Sequence, residues 1–401
     1  AHKGAHGIVV LTGTDHVAGD NLQIINLARA YGVRALGPDA LGLINTLPEV
    51  HLNATPGPMP RGGGVGMFCQ SAAVGVALLN HAIRHDVGLS SFISTGDYAD
   101  VTANDVMQYW EDDEATRVCL LTLDSIGNPR KFSRITRTLA RRKPVVVFAP
   151  GRTYRADHAG VRGGLGHAPE EAVDALFSQA GVMVVHQRGD MIDVAKIAAR
   201  QPLPSGPRVR IITNSLTLAY QMVQKMDSVG LLRDPQPELL KADADSAEFA
   251  GAARDALADP RYDSVVCAAI YAFDKGTEDV ILALEDVAAE ATKPLIGVFL
   301  DFHPPLSTDG QPDSPGLLPR FDGSVDAIQA LSALTVYAAW RDRDLGAVPS
   351  LEVDSQAARR VVNRILAEQP AGRELTDTET AELLETYGIK LVPQVSVSSL
   401  T

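Results

Sequence analysis

Short runs of Val, Ile and Leu alternate along the chain with amphipathic stretches of helical length, and a turn containing Gly or Asp separates each pair. That alternation predicts an α/β architecture in which a parallel sheet, buried on both faces, is covered by helices on each side. Residues 8–12 read as a strand, 20–32 as a helix and 33–37 as a strand. Pro and Gly cluster between about 47 and 64, including Pro56-Gly57-Pro58-Met59-Pro60, and predict a domain boundary there. Near the end, Thr376 with Glu379 three residues on forms a capping box, Gly388 supplies a helix stop, and 390–397 reads as a strand. A lone helix and strand bury no core, so this end reads as the start of a further domain.

A weak internal repeat runs from Val65 to about Gly346. Val65–Ser71 aligns with Val209–Ser215 at an offset of 144, and Cys119 and Lys143-Pro144 align with Cys267 and Lys293-Pro294 at 148 and 150. The shared order is a strand ending in a small polar residue, a helix, a strand containing Cys, a helix, Lys-Pro and a strand. Two similar open-sheet subdomains follow from it.

The chain has 401 residues, enough for two to four domains, with 45% apolar and 21% charged residues, as in an ordinary globular protein. A net charge of −13 without a basic cluster argues against nucleic acid as ligand, and no apolar run approaches the length of a membrane span. Cys69, Cys119 and Cys267 are odd in number and sit in apolar runs, which predicts buried thiols in a reducing compartment and a cytoplasmic location. The chain opens on Ala1-His2-Lys3 just before a strand, so a longer native protein is expected.

In open parallel sheets, ligands bind beyond the carboxyl ends of strands, where helix N-termini present free amides. Gln70-Ser71-Ala72 is such a turn, and Asn214-Ser215 is its repeat partner. Either suits a phosphate, and either Ser serves equally as an N-cap. The loop 151–169 carries two His, three Arg and five Gly, a cationic segment suited to anions, with His158 and His167 as nucleophile candidates. Asp124, at another strand end, either orients such a His or stabilises a turn. No His set has metal-ligand spacing: the His81/His85 pair lacks the Glu of a zinc-protease motif, so no metal site is predicted.

These residues together resemble the NDP-forming acyl-CoA synthetases, relatives of succinyl-CoA synthetase, over nearly the whole chain. The motifs are Gly37-Pro38-Asp39-Ala40-Leu41-Gly42 through Thr46, Leu52-Asn53-Ala54, Gln70-Ser71-Ala72-Ala73, Ser94 through Val101, Lys143-Pro144-Val145, and Gln179-Ala180-Gly181-Val182, in family order. The resemblance implies a partial Rossmann-like CoA-binding domain (1–55) and two flavodoxin-like, doubly wound parallel-sheet ligase subdomains (62–200 and 205–345). A linker (346–373) and the start of a truncated ATP-grasp domain (374–401) complete it. The implied ligands are CoA or acyl-CoA, contacted at Thr12, Gly13, Pro38 and Asp39, and ATP or ADP through the ATP-grasp part beyond this chain. Ala103 through Trp110 and Asp124 through Phe132 look like the synthetase-like part of bacterial protein lysine acetyltransferases, in which a GNAT-type domain is fused to this module. That similarity implies a protein lysine substrate as a partner. A homo-oligomer is compatible with all of this.

The family's mechanism carries a phosphoryl group on a His held between two helix N-termini and oriented by a Glu. Here the Glu position holds Asp124, the first turn has Ala72 in place of Gly, and the second has Ser215-Leu216-Thr217 in place of a Gly-rich run. One family register puts His158 at the carrier position and another puts Arg162 there. Two functions are therefore expected as alternatives: a degenerate acyl-CoA-binding module regulating an attached acetyltransferase, or an active ligase core working through a phosphohistidine.

Overall fold

The predicted alternation of strand and helix builds three sheets. The computed structural model describes residues 4–11, 20–97, 100–149, 169–234, 236–271, 276–300, 316–344, 346 and 353–392. It divides into two units, Ala1–Arg343 and Asp344–Thr401. In the first unit, β1 (Gly7–Val9), α1 (Asp20–Ala30) and β2 (Arg34–Leu36) make a two-stranded parallel sheet with Ile8 opposite Ala35.

The chain continues through β3 (Gly42–Asn45), β4 (Leu52–Asn53), β5 (Gly62–Cys69), α2 (Ala72–Arg84), β6 (Leu89–Ser94), α3 (Ala103–Asp112) and β7 (Val118–Thr122). It then forms α4 (Pro129–Arg142), β8 (Val145–Phe148), α5 (Glu170–Ala180), β9 (Met183–Val185) and α6 (Arg188–Ala198). These strands form a seven-stranded sheet in the order β4-β3-β6-β5-β7-β8-β9. The sequence reading groups 42–53 with the preceding segment, but these residues pair into this sheet, antiparallel to β6, with Ile44 opposite Phe92. Burial explains the difference: Ile44 is enclosed there together with Phe92.

A six-stranded sheet follows, from β10 (Arg208–Thr213), α7 (Leu216–Val229), β11 (Leu232–Arg233), β12 (Glu238–Leu239), α8 (Ser246–Ala258), β13 (Ser264–Ala269), α9 (Thr277–Ala289), β14 (Leu295–Phe299), β15 (Arg320–Phe321) and α10 (Ser324–Arg341). Its order is β11-β10-β13-β14-β15, with β12 paired to the far end of β10.

Successive strand residues point to opposite faces, and the core follows that period. Val65, Met67 and Cys69 of β5 enter one apolar cluster and Phe68 the other. In β13, Val266 and Ala268 enter the same cluster as Met67, whereas Val265, Cys267 and Ala269 enter a third. That shared cluster takes Leu78 and Leu79 of α2, Met191 and Ile192 of α6, Leu218 and Met222 of α7, and Ile328 and Leu331 of α10. The two large sheets thus share one middle layer of four helices, while α3, α4 and α5 cover the outer face of one sheet and α8 and α9 that of the other.

The repeat persists in side-chain detail. Lys143 Nζ donates to the carbonyl oxygens of Trp110 and Asp113 at the end of α3, the latter at 2.6 Å, and Lys293 Nζ donates to that of Asp259 at the end of α8, also at 2.6 Å. Each Lys-Pro therefore caps the preceding helix with a cation before its strand begins. The three cysteines are free and buried, as expected.

In the second unit, α11 (Ser355–Glu368) and α12 (Asp377–Glu385) form a helix pair joined by the Arg364–Glu382 ion pair at 2.6 Å. Thr376 N donates to Glu379 Oε2 at 2.8 Å and Glu379 N to Thr376 Oγ1 at 3.3 Å, completing the capping box. Gly388 follows at φ 72°, a left-handed position that Gly adopts without strain. Residues 390–392 are not a strand, and 393–397 lie outside the described residues. Among the described residues no helix is long and apolar enough to cross a membrane.

Gly66 tests the packing of the outer layer. A Cβ there would lie 2.5 Å from Trp110 Cε2, inside a ring whose Nε1 donates to Ser91 Oγ at 2.9 Å. Gly66→Ala is expected to lower the unfolding free energy by about 1–3 kcal/mol, measured as a lower urea midpoint at unchanged slope.

Candidate functional site

Strand β5 lies between β6 and β7, with Cys69 opposite both Ser94 and Thr122. Burial pushes the Cys69 thiol up to about 12, against the opposing effect of a hydrogen bond with Ser94, so it stays a protonated packing group. The chain then turns into α2. Gln70 is 6% exposed, and its Oε1 accepts from Asp124 N at 2.5 Å and Ser125 N at 3.0 Å while its Nε2 donates to Ser125 O at 2.9 Å. All of these bonds tie the end of β5 to the turn after β7. A Gln70 contact to a cofactor therefore has to come from its main chain.

Ser71 is the N-cap of α2, with Oγ accepting from Val74 N at 3.4 Å and no acidic residue in the first turn. The amides of Ala72 and Ala73 remain available to an anion, which the positive end of the helix favours. Gly75 lets the helix close on the strand, since a Cβ there would meet Cys69 Sγ at 2.7 Å.

The second turn repeats this logic with Asn in place of Gln. Asn214 Oδ1 accepts from Ile270 N at 3.1 Å, and its Nδ2 donates to Ile270 O at 2.9 Å and Ala242 O at 3.3 Å. Ser215 caps α7, its Oγ accepting from Leu218 N at 3.5 Å. The rim differs: Leu216 and Tyr220 are 52% and 63% exposed, with Leu239 and Ile270 also exposed beside the same strand end.

Asp124 projects from the turn that Gln70 holds. It does not cap the next helix, because Asn128 does, with Oδ1 accepting from Arg130 N at 3.0 Å and Lys131 N at 3.1 Å. The Asp124 residue is exposed, yet partial desolvation at the strand ends raises its carboxyl pKa from the ordinary value. A carboxylate in that condition is suited to receiving or sharing a proton.

Pro38 and Asp39 reach the same sheet edge. The Gly37-Pro38 peptide is cis and Asp39 has φ 56°. Asp97 N donates to Pro38 O at 2.9 Å and Leu41 N to Ser94 Oγ at 3.1 Å. Gly96 is required by this contact, since its Cβ would lie 2.0 Å from Pro38 O. Pro38 is buried and Asp39 exposed. The structure therefore gathers Pro38, Asp39, Gln70, Ser71, Ala72 and Asp124 at the carboxyl edge of the seven-stranded sheet, and Asn214 and Ser215 at that of the six-stranded sheet. Thr12, Gly13, His158 and Arg162 lie outside the described residues.

Sequence reasoning overlooked the amide bridges. Their visible trace is an amide residue one position beyond each repeated strand, where a ligand-facing side chain is expected from sequence. Its partners are main-chain atoms 28–56 residues away, which spacing does not reveal.

Residues 62–198 match the succinyl-CoA ligase like flavodoxin domain. The chain is 29% identical to the alpha subunit of acetate–CoA ligase [ADP-forming] I of Pyrococcus furiosus, over 80% of this chain and 73% of that protein. It is 30% identical to the alpha subunit of the form II enzyme of the same organism, covering 57% of this chain and 51% of that protein. Among solved structures, the dinucleotide-forming acetyl-coenzyme A synthetase 1 of Ca. Korarchaeum cryptofilum, in complex with phosphate and ADP, shares the fold at TM-score 0.72 and 23% identity, covering 84% of this chain and 78% of that one.

Asp124 generates a pH prediction. Its folded pKa is raised, so the native state holds a proton that the unfolded state releases, and stability is lost as pH rises through the folded value. Asp124→Asn is expected to unfold at higher urea than the parent at pH 7, and the two midpoints should converge below about pH 3.9.

Proposed function

The chain belongs to the NDP-forming acyl-CoA synthetase and succinyl-CoA ligase-like family, and on that premise we propose that it is an acyl-CoA-binding module, degenerate in ligase chemistry, that regulates an attached GNAT-type protein lysine acetyltransferase. The observation that carries this reading is the exposed apolar rim of the second turn. Leu216 occupies the first position of α7, with Tyr220 one turn on and Ile270 beside Asn214. A phosphoryl group held between two helix N-termini needs close approach to both sets of amides. Leu216 adds an exposed branched side chain at the first helical position, where close approach to the amides favours a small residue, and this disfavours a phosphate at the second turn.

The first turn does fit one. Ser71 caps without adding charge, the first turn of α2 carries no acid, and Asp124 stands at the adjoining strand end. In this reading the amides of Ala72 and Ala73 orient an anionic group of the ligand, while Pro38 and Asp39 border it from the β6 side. The likeness of 103–110 and 124–132 to the synthetase-like part of GNAT-fused acetyltransferases supports the regulatory role.

A second reading, an active ligase core, is favoured by one feature: Asp124 is spared from helix capping and stays available to orient a carrier His. In that case His158 would take the phosphoryl group as nucleophile. ADP or ATP would be handled by an ATP-grasp part outside this chain.

Two measurements test the proposal. Acetyl-CoA at 100 times its dissociation constant should stabilise the protein by about 2.7 kcal/mol, read as a rise in Tm. Incubation of the full-length protein with γ-labelled ATP should leave no acid-labile phosphohistidine. A label that disappears in His158→Ala would overturn degeneracy and establish the ligase reading.

A further inference from the structure

A cleft of about 650 Å³ runs along the outward face of α2 and is closed on its other side by the end of β8 and the start of α6. Its walls include Ala73, Val76, His81 and Arg84 of α2, together with Phe148 and Arg188. From Ala73 to Arg84 the helix rises about 16 Å, so the cleft is elongated.

Its charge is one-sided. Arg84 Nε reaches only the carbonyl oxygen of Asn80, at 3.3 Å, and neither Arg84 nor Arg188 forms an ion pair among the described residues. Among the described residues no Asp or Glu lines the cleft. Asp190, in the first turn of α6, turns back to accept from Gln187 N at 3.3 Å, and Asp193 is paired with Lys196 at 2.9 Å. His81 is held below its usual pKa, first by burial and further by Lys196, Arg84 and Arg188, with Asp193 opposing. The imidazole is thus neutral at pH 7 and able to donate one hydrogen bond. Gly189, at the second position of α6, has open space where a Cβ would be.

We infer that this cleft is a second anion site, farther along α2 than the strand-end turn and sharing only Ala73 with it, which takes the diphosphate group of an organic phosphate ester on Arg84 and Arg188 and seats its organic body against Val76 and Phe148. Two planar guanidiniums without carboxylate partners match the several acceptor oxygens of a diphosphate. The volume exceeds what a bare phosphate would fill and lies within the range of small-molecule sites. Both a nucleoside diphosphate and the diphosphate bridge of CoA offer this chemistry. The inference rests on the family reading for the relevance of those ligands, and on the geometry of the cleft alone for its location.

Calorimetric titration of the full chain with ADP, CoA and inorganic pyrophosphate tests it. ADP or CoA should bind, the tighter of the two identifying the source, and pyrophosphate should bind more weakly than either because it cannot cover Val76 and Phe148. The Kd of the organic ligand should rise at least fivefold in R84Q/R188Q, whose exposed side chains can be exchanged without disturbing the core. It should stay unchanged in Arg134→Gln, which removes an exposed charge of α4 that does not line the cleft. A smaller effect in R84Q/R188Q, or no heat with either organic ligand at millimolar concentration, overturns the cleft. Binding weakened as much in Arg134→Gln as in R84Q/R188Q also overturns the cleft, while leaving the strand-end reading intact.

Discussion

The inner strands β7, β13 and β14 are buried on both faces along their whole length, and that requirement organises the rest. A parallel sheet needs helices on each side to remove its apolar surface from water. Two such sheets standing apart would need four helical layers, whereas this chain uses three by sharing the middle one. Met67 and Val266, from different sheets, enter the same apolar cluster through α2, α6, α7 and α10. Polar stitches fasten the shared layer to its neighbours: Tyr337 of α10 donates to Ala140 O of α4 at 2.8 Å, and Gln201 donates to Leu317 O at 2.7 Å and accepts from Leu295 N at 3.2 Å. Each bond satisfies a polar group that burial would otherwise leave at a cost.

The site inherits this geometry. α2 and α7 both bury their inner faces in the shared layer, and each carries a capping Ser at the carboxyl edge of its sheet. Gln70 and Asn214 then fix the neighbouring turns, so that the two strand ends are alike in construction. The likeness stops at the surface. Around Ser71 the first turn is small and free of acid, whereas around Ser215 it is apolar and bulky. The protected frame and the exposed rim respond to different demands, since packing constrains one and ligand contact the other.

The sheet-and-helix alternation, the buried cysteines, the Ser71 and Ser215 caps and the Thr376 capping box are legible in the residues themselves, because each is written in neighbours along the chain, and the two-fold repeat is legible as the same local pattern met twice. The repeat also makes Lys143 and Lys293 equivalent, though it does not show that each seals a helix end. Long-range packing is what places Gly42–Asn53 in the seven-stranded sheet, turns Gln70 and Asn214 inward to main-chain partners, spares Asp124 from capping, and brings Arg84 and Arg188 to one cleft. Those outcomes depend on which distant groups compete for the same hydrogen bond or the same apolar space. Local pattern predicts that a polar atom needs a partner; the packing of remote segments selects which one it receives.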